Sequence, residues 1–301
     1  MSTRSKWQHL ATEAVNPRSR DIDTLTPDEI VEVMILDNRH VLAAVQREKT
    51  RIARGAELLA DAVLAGGRLI FAGAGTSGRL GVLEAAELPP TFGINPEMAQ
   101  AVMAGGPAAV HRAKEGVEDD YEAGERAMRG LRPSRKDAVI GISASGITPF
   151  VQGAVARARA ARTPIIGVTC DPQSALKDVA DVAIILSVGP EVIAGSTRLK
   201  AGTATKIVLN MLTTAAMVRA GKTYGNLMVD VKSNSDKLRD RARRIIGSVT
   251  GLDDDAANAL LQRAQWNVKA AILMQQAGLT RAKALSRLRV EPRLRKLLGR
   301  G

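Results

Sequence analysis

At 301 residues and 45% apolar, the chain can bury one large α/β domain or a core with a smaller appendage, and an aromatic content of 2% leaves that core to Ala, Val, Leu and Ile. Its one cysteine, Cys170, excludes an internal disulfide framework and a Cys-based zinc site, and it suits a reducing compartment. The formal charge is +12, but eight Arg or Lys against one Glu fall between Arg281 and Gly301, so a solvated basic tail is favoured over a nucleic-acid partner, for which the chain has few aromatics to stack bases.

In chain order, residues 1–15 are polar and lack an apolar stretch of signal-peptide length, and no run approaches the roughly 18 apolar residues of a membrane span. A soluble, cytoplasmic protein with no membrane contact is expected. Residues 1–58 read as helical. Thr26-Pro27-Asp28-Glu29 is a capping box with Pro at the first helical position, and it opens a run over 30–36. A second helix is predicted over 40–64, with Val41, Val45, Ile52, Leu58 and Leu59 on its apolar stripe.

From Gly67 the pattern changes to short apolar runs at 69–72, 101–103, 138–142, 165–168 and 182–186. Helices at 80–87, 108–118 and 150–160, and a short one after Pro172, fall between them. Such runs with helical crossovers predict a doubly wound parallel sheet with helices on both faces. Ligands of such sheets sit at the carboxyl ends of the strands, near a switch point. A helix over 203–219 should stop at Gly221, and another should span 227–246. Three short helices follow at 253–263, 268–276 and 281–288, with Gly278-Leu279-Thr280 as stop and cap between the last two. The expected division is an N-terminal helical segment (1–58), a sheet domain (59–222) and a C-terminal helical region (223–301), with a three-helix bundle at about 248–290.

The first strand runs into Gly73-Ala74-Gly75-Thr76-Ser77-Gly78-Arg79, which matches the G-x-G-x-x-G dinucleotide pattern. A Rossmann unit also wants an acid ending the next strand, roughly 20 positions on, whereas Glu97 precedes that strand. Thr76 and Ser77 lie where a helix begins, and hydroxyls with free amides there suit a terminal phosphate monoester. A second strand empties into Ser143-Ala144-Ser145-Gly146, then Thr148-Pro149 and a helix. Either loop alone could merely cap its helix; two in one sheet favour phosphate binding.

Glu84 and Glu87 share one predicted helix, as do Glu115 and Glu118, each pair at i,i+3. Surface solvation is the default for helical Glu. Glu87 stands apart because it ends the helix that the phosphate loop starts, before Pro89-Pro90, and Glu115 because it follows Gly105-Gly106 at a strand's carboxyl end. Two carboxylates beside a phosphosugar would supply a base and an acid, in either assignment. His9, His40 and His111 are scattered without metal-ligand spacing, His111 being four before Glu115 as a helix-surface pair, and no Ser-His-Asp set stands out. Before the 203–219 helix, Ser196, Arg198, Lys200 and Lys206 could reach an anion. Cations at a helix start oppose its dipole, which points to a use beyond helix stability.

Thr12-Glu13, Asn16 and Asp23-Thr24-Leu25, with GAGTSGRLGVLEAAELPPTFG (73–93), AGGPAAVHRAKEGVEDD (104–120), SASGITPFV (143–151), GSTRLKAGTATKIVLNMLTT (195–214) and GNLMVDVKSNSDKL (225–238), form long stretches of the chain. In them the chain resembles the N-acetylmuramic acid 6-phosphate etherases of the SIS-domain superfamily. The glucokinase regulatory protein shares several of them, and the last three helices resemble a ubiquitin-associated bundle. The resemblance implies an SIS-type sandwich, usually dimeric, that cleaves the lactyl ether of a sugar phosphate with no metal or organic cofactor. It implies Glu87 as the acid that assists lactate departure and Glu115 as the base at C2. It also implies phosphate held by Gly75, Thr76, Ser77, Ser143, Ser145 and Thr148, and a segment from Gly195 to Lys206 that reaches a neighbouring subunit's site. The chain departs from the pattern at Glu84 (more often Asp), Leu88 (Cys) and Ile147, where an Arg is common and its loss weakens anion contact. By residue chemistry alone, a phosphosugar isomerase or a non-catalytic sugar-phosphate sensor on the same fold stays open; a sensor would have no need of a proton-transfer pair.

Overall fold

The computed structural model describes residues 10–231 and 235–299. Trp7, His9, residues 232–234 of the 225–238 motif and Arg300 of the basic tail lie outside the described residues. The chain gathers into two compact units, one within Met1–Ala85 and Ala99–Thr213, the other within Ala86–Met98 and Thr214–Gly301.

Three 3-10 turns, Ala11–Glu13, Pro17–Ser19 and Ile22–Thr24, precede α1 (Pro27–Arg47) and α2 (Lys49–Leu64). The capping box forms: Glu29 N donates to Thr26 Oγ1 at 3.4 Å, and Thr26 N donates to Glu29 Oε2 at 2.8 Å. The break between the helices falls at Glu48, later than the sequence suggests. Asn38 returns its side-chain amide to the Met34 carbonyl, and buried Asp37 meets a cation from another element, so neither polar residue ends α1.

Five parallel strands, β1 (Leu69–Gly73), β2 (Ala99–Met103), β3 (Ala138–Ile142), β4 (Ile165–Thr169) and β5 (Val182–Ile185), form a sheet of order β2-β1-β3-β4-β5. This is the doubly wound sheet expected from the apolar runs. Its switch point lies between β1 and β3, which pair in register from Leu69 opposite Ala138. Every residue of β1, β3 and β4 is buried, which is why they read as unbroken apolar runs and not as alternations. On one face Ile70, Val139 and Ile165 pack with Met128 of α5 (Tyr121–Leu131), Phe150 of α6 (Pro149–Ala160) and Leu176 of α7 (Leu176–Val179). On the other, Gly55 of α2 lies against Ile166 and against Leu212 of α8 (Lys200–Arg219), while Gly81 of α3 (Gly75–Phe92) lies against Phe71.

Three predicted helices are redrawn. The one over 108–118 stops after four residues as α4 (Ala108–His111), because Arg112 turns to extended backbone and Gly116 adopts a φ of 76°. Glu115 and Glu118 are therefore not paired on a helix face, and His111 is no helix neighbour of Glu115. The helix over 227–246 is a hairpin, β6 (Thr223–Tyr224) and β7 (Leu227–Met228), turning through Gly225-Asn226. It is followed by α9 (Asp236–Thr250), whose cap is Ser235. Finally, α3 starts at Gly75 instead of residue 80 and runs through Pro89 and Pro90 to Phe92.

The C-terminal helices α10 (Asp254–Arg263), α11 (Val268–Ala277) and α12 (Arg281–Val290) lie within two residues of their expected bounds, and a short α13 (Leu294–Leu297) follows. Asp253, Asn267 and Thr280 each accept the third amide of the helix they open. With α9 they enclose Ile246, Leu260, Leu261, Ile272, Leu273 and Ala284, all buried. No helix among the described residues is long and apolar enough to cross a membrane.

Lys200, expected to reach a ligand, is 2% exposed and spent inside the fold. Its ammonium lies 2.7 Å from Asp37 Oδ2 and donates to the Pro190 carbonyl at 2.6 Å. Glu191 accepts the Lys200 and Ala201 amides at 2.9 Å each, supplying the anion that the start of α8 favours. Burial holds the Glu191 carboxyl above the ordinary range against those two amides and the Lys200 cation. The cation that seemed to oppose the helix dipole is thus matched internally. Nearby, after β4, Cys170 is 3% exposed, and burial with the Glu191 charge pushes its thiol up to about 12.

Asp137 performs the corresponding task at the amino ends of the strands. Its Oδ1 accepts the Arg68 amide at 2.8 Å and Nε at 3.0 Å, and its Oδ2 accepts Arg68 Nη2 at 2.9 Å and the Ser134 amide at 2.8 Å. Burial raises the carboxyl, but the Arg68 and Ser134 donors outweigh it and hold it below the usual range. A folded-state pKa below the unfolded one stabilises the protein above the unfolded value, about 3.9. That stabilisation is lost as pH falls through the lower folded value. Asp137→Asn should therefore lower stability by about 3 kcal/mol at neutral pH in denaturant titrations, with the gap to wild type narrowing below about pH 4. Lys200→Met should cost a similar amount, about 3–5 kcal/mol, because Asp37 would be left buried and uncompensated. An unchanged melting temperature in that variant would return Lys200 to the ligand.

Candidate functional site

The site lies at the carboxyl end of the sheet, around the switch point. Strand β1 meets α3 through the single residue Ala74: a Cβ on Gly73 would come 2.6 Å from the Gly78 amide nitrogen, and one on Gly78 would come 2.8 Å from the Gly73 carbonyl oxygen. Gly75, Thr76 and Ser77 therefore form the first turn of α3, where backbone amides lack partners within the helix and the dipole favours an anion. The loop after β3 opens beside it. Both contribute to a cavity of about 330 Å³ lined by Gly75, Thr76, Ser77, Ser145 and Thr148 of the predicted set.

Ser143 is organised differently. It is 2% exposed, its hydroxyl accepts the Gly146 amide at 3.0 Å, and it exchanges a 2.7 Å hydrogen bond with Thr148 Oγ1. It shapes the turn and does not line the cavity. Thr148 occupies the cap position of α6, but its hydroxyl is directed to Ser143 and not to the helix amides.

Glu115 lines the cavity from the turn that Gly116 bends. Glu87 does not: it is exposed on α3, eleven residues beyond Thr76. Its helical neighbour Glu84 is buried, accepting Asn210 Nδ2 at 2.7 Å and Thr213 Oγ1 at 2.5 Å. The basic segment reaches the cavity through Gly195 and Thr197, while Ser196, Arg198, Lys200 and Lys206 are not among the lining residues. Lys206 is hydrogen-bonded to Asn210. Ile147 is not among the lining residues, although Ser145 and Thr148 on either side of it are.

Positive charge comes instead from Arg79 and Lys114. Arg79 lies one turn after Gly75 on α3 and donates to the Ala109 and Val110 carbonyls at 2.8 and 2.9 Å, closing the open end of α4. Its signal was present in the sequence, as the residue after the third glycine, at i,i+3 from Thr76. Thr12, Glu13 and Glu118 also line the cavity. Thr12 and Glu13 stand out in the sequence only as part of the family resemblance, and a long-range contact brings them to the cavity: Gly195 N donates to the Thr12 carbonyl at 2.9 Å.

Two family models match the chain: the glucokinase regulatory protein N-terminal SIS domain over residues 51–159, and the SIS domain over residues 114–215. Among similar proteins, the N-acetylmuramic acid 6-phosphate etherase of Gloeobacter violaceus is 52% identical over 266 residues, covering 88% of this chain and 87% of that protein. That of Salinibacter ruber is 50% identical over 93% of this chain and 91% of its own length. That of Lactobacillus johnsonii is 46% identical over 93% and 94%, respectively. With identity this high over nine-tenths of the chain, and an SIS sheet carrying the cavity, the chain belongs to the N-acetylmuramic acid 6-phosphate etherase family.

Proposed function

We infer that the protein is a lyase that removes D-lactate from N-acetylmuramic acid 6-phosphate, giving N-acetylglucosamine 6-phosphate in the catabolism of cell-wall amino sugars. The observation that carries this reading is one cavity holding both a phosphate-type helix start, Gly75-Thr76-Ser77, and the carboxylate of Glu115. The α3 amides with the Thr76, Ser77 and Ser145 hydroxyls hold the phosphate, and Arg79 and Lys114 add positive charge. With the sugar open, its C1 aldehyde acidifies the proton on C2. Glu115 takes that proton, and the electron pair forms a C2–C3 double bond as the C3–O bond breaks. The departing lactate oxygen takes a proton from an acid. Water then adds to C3 and a proton returns to C2, so that the net change is ether plus water to alcohol plus lactate.

The acid we assign is Glu87. Glu87 is exposed and not among the residues that line the cavity, which supports assigning it to the site of a second copy of the chain, with a homodimer as the working form. We place the reaction in the cytoplasm, where the single thiol stays reduced.

D-lactate release from N-acetylmuramic acid 6-phosphate tests the whole reading; a wild type that binds the sugar phosphate but frees no lactate would sink it. Glu115→Gln and Glu87→Gln should each lower kcat by about 10²–10⁴. Mixing the two inactive variants under exchange conditions should restore about a quarter of wild-type activity, since half the dimers are mixed and each has one intact site. No recovery on mixing would return Glu87 to its own subunit.

A further inference from the structure

Thr12 is 3% exposed and lines the cavity, and its hydroxyl has no hydrogen-bond partner among the described residues. A buried hydroxyl left unpaired is costly, and native folds rarely leave one so without a ligand or water to satisfy it. Beside it Glu13 also lines the cavity, its carboxylate lying over Gly195, where a Cβ would come 3.2 Å from Oε2. The 3-10 turn that carries both residues is firmly attached. Gly195 N donates to the Thr12 carbonyl at 2.9 Å, and Ser19 Oγ donates to the Val192 carbonyl at 2.7 Å. Asn16 Nδ2 reaches the Pro190 carbonyl and Asp37 Oδ1, both at 3.2 Å. Through Asp37 the turn is fixed to the buried Lys200 ion pair, so Thr12 and Glu13 are held by the core and not by a loose terminus.

We propose that Thr12 and Glu13 are specificity-determining residues that read the uncharged polar groups of the sugar, its hydroxyls or its amide N–H. An ionised carboxylate only accepts hydrogen bonds, so Glu13 is suited to a donor and repels the phosphate and lactyl carboxylate. That division leaves the phosphate to the α3 start and fixes which end of the sugar faces Glu115. A site with buried polar groups of this kind rejects analogues lacking the matching hydroxyl, because its own groups would then stay unpaired. The proposal deepens the lyase reading and rests on it for the identity of the sugar.

The test compares two probes on the full-length protein by calorimetry: N-acetylglucosamine 6-phosphate, which carries sugar and phosphate, and inorganic phosphate, which carries no sugar. Thr12→Val keeps the shape and removes the hydroxyl, Thr12→Ser keeps the hydroxyl, and Glu13→Ala removes the carboxylate. Thr12→Val and Glu13→Ala should each weaken the sugar phosphate about tenfold and raise KM for lactate release to match. Inorganic phosphate should bind within about twofold of wild type, and Thr12→Ser should recover most of the loss. Unchanged sugar-phosphate affinity in Thr12→Val and Glu13→Ala would overturn the proposal. So would a parallel loss of inorganic phosphate that Thr12→Ser fails to rescue, which would mean that the turn only braces the site. A wild type without lactate release would sink the lyase reading by itself, while the comparison of the two probes would still decide for or against Thr12 and Glu13.

Discussion

Between Gly73, which ends β1, and Gly78 in the first turns of α3 there is no room for a side chain, and the geometry of the site follows from that. Gly73 and Gly78 meet backbone to backbone, so the helix begins directly over the carboxyl end of its strand, with its unpaired amides facing outward. The chain then goes to β2 on one side of β1 and later to β3 on the other, which leaves a crevice that no crossover fills. The β3–α6 loop opens into the same crevice, kept in shape by Ser143 and Thr148. Replacing either glycine would separate strand from helix and turn the amides away from the ligand.

As the proposed site of a sugar phosphate, a cavity that contains Glu13, Glu115 and Glu118 beside only Arg79 and Lys114 looks contradictory if side-chain charges are counted alone. Backbone amides and the helix dipole resolve it, because they bind phosphate with fixed partial charges that need no lysine or arginine. On the proposed function, the carboxylates are thereby left for protons and sugar hydroxyls. Formal cations elsewhere serve the fold: Lys200 is buried against Asp37, Arg68 gathers around Asp137, and Arg79 closes the end of α4. Net charge is thus a poor guide to where this chain holds an anion.

The features legible in the sequence were those fixed by near neighbours. Strands buried on both faces declare themselves as apolar runs, the C-terminal helices carry Asp253, Asn267 and Thr280 as caps, and Gly73 to Gly78 announces a tight strand-to-helix turn. What escaped depends on distant contacts or on a single backbone angle. Gly116 and Arg112 break a stretch with good helical composition, moving Glu115 from a helix face to a turn. Lys200 reads as a ligand group until Asp37, 163 positions away, is seen beside it. Thr12 enters the site through long-range contacts, among them the bond from Gly195 N to its carbonyl. Family resemblance pointed to Glu115 and Glu87 together, but the fold brings only the first to the cavity of its own chain.

The lone cysteine closes the account in a different sense. Cys170 sits just past β4, on the next strand over from β3 and the loop that follows it, and with its thiol pushed up to about 12 it carries essentially no thiolate at neutral pH. In the native state its burial and its raised thiol both oppose reaction with alkylating reagents and peroxide. Any reaction there reports that the sheet has opened at this edge of the crevice, so the chain carries its own clock for local unfolding, readable without an introduced label.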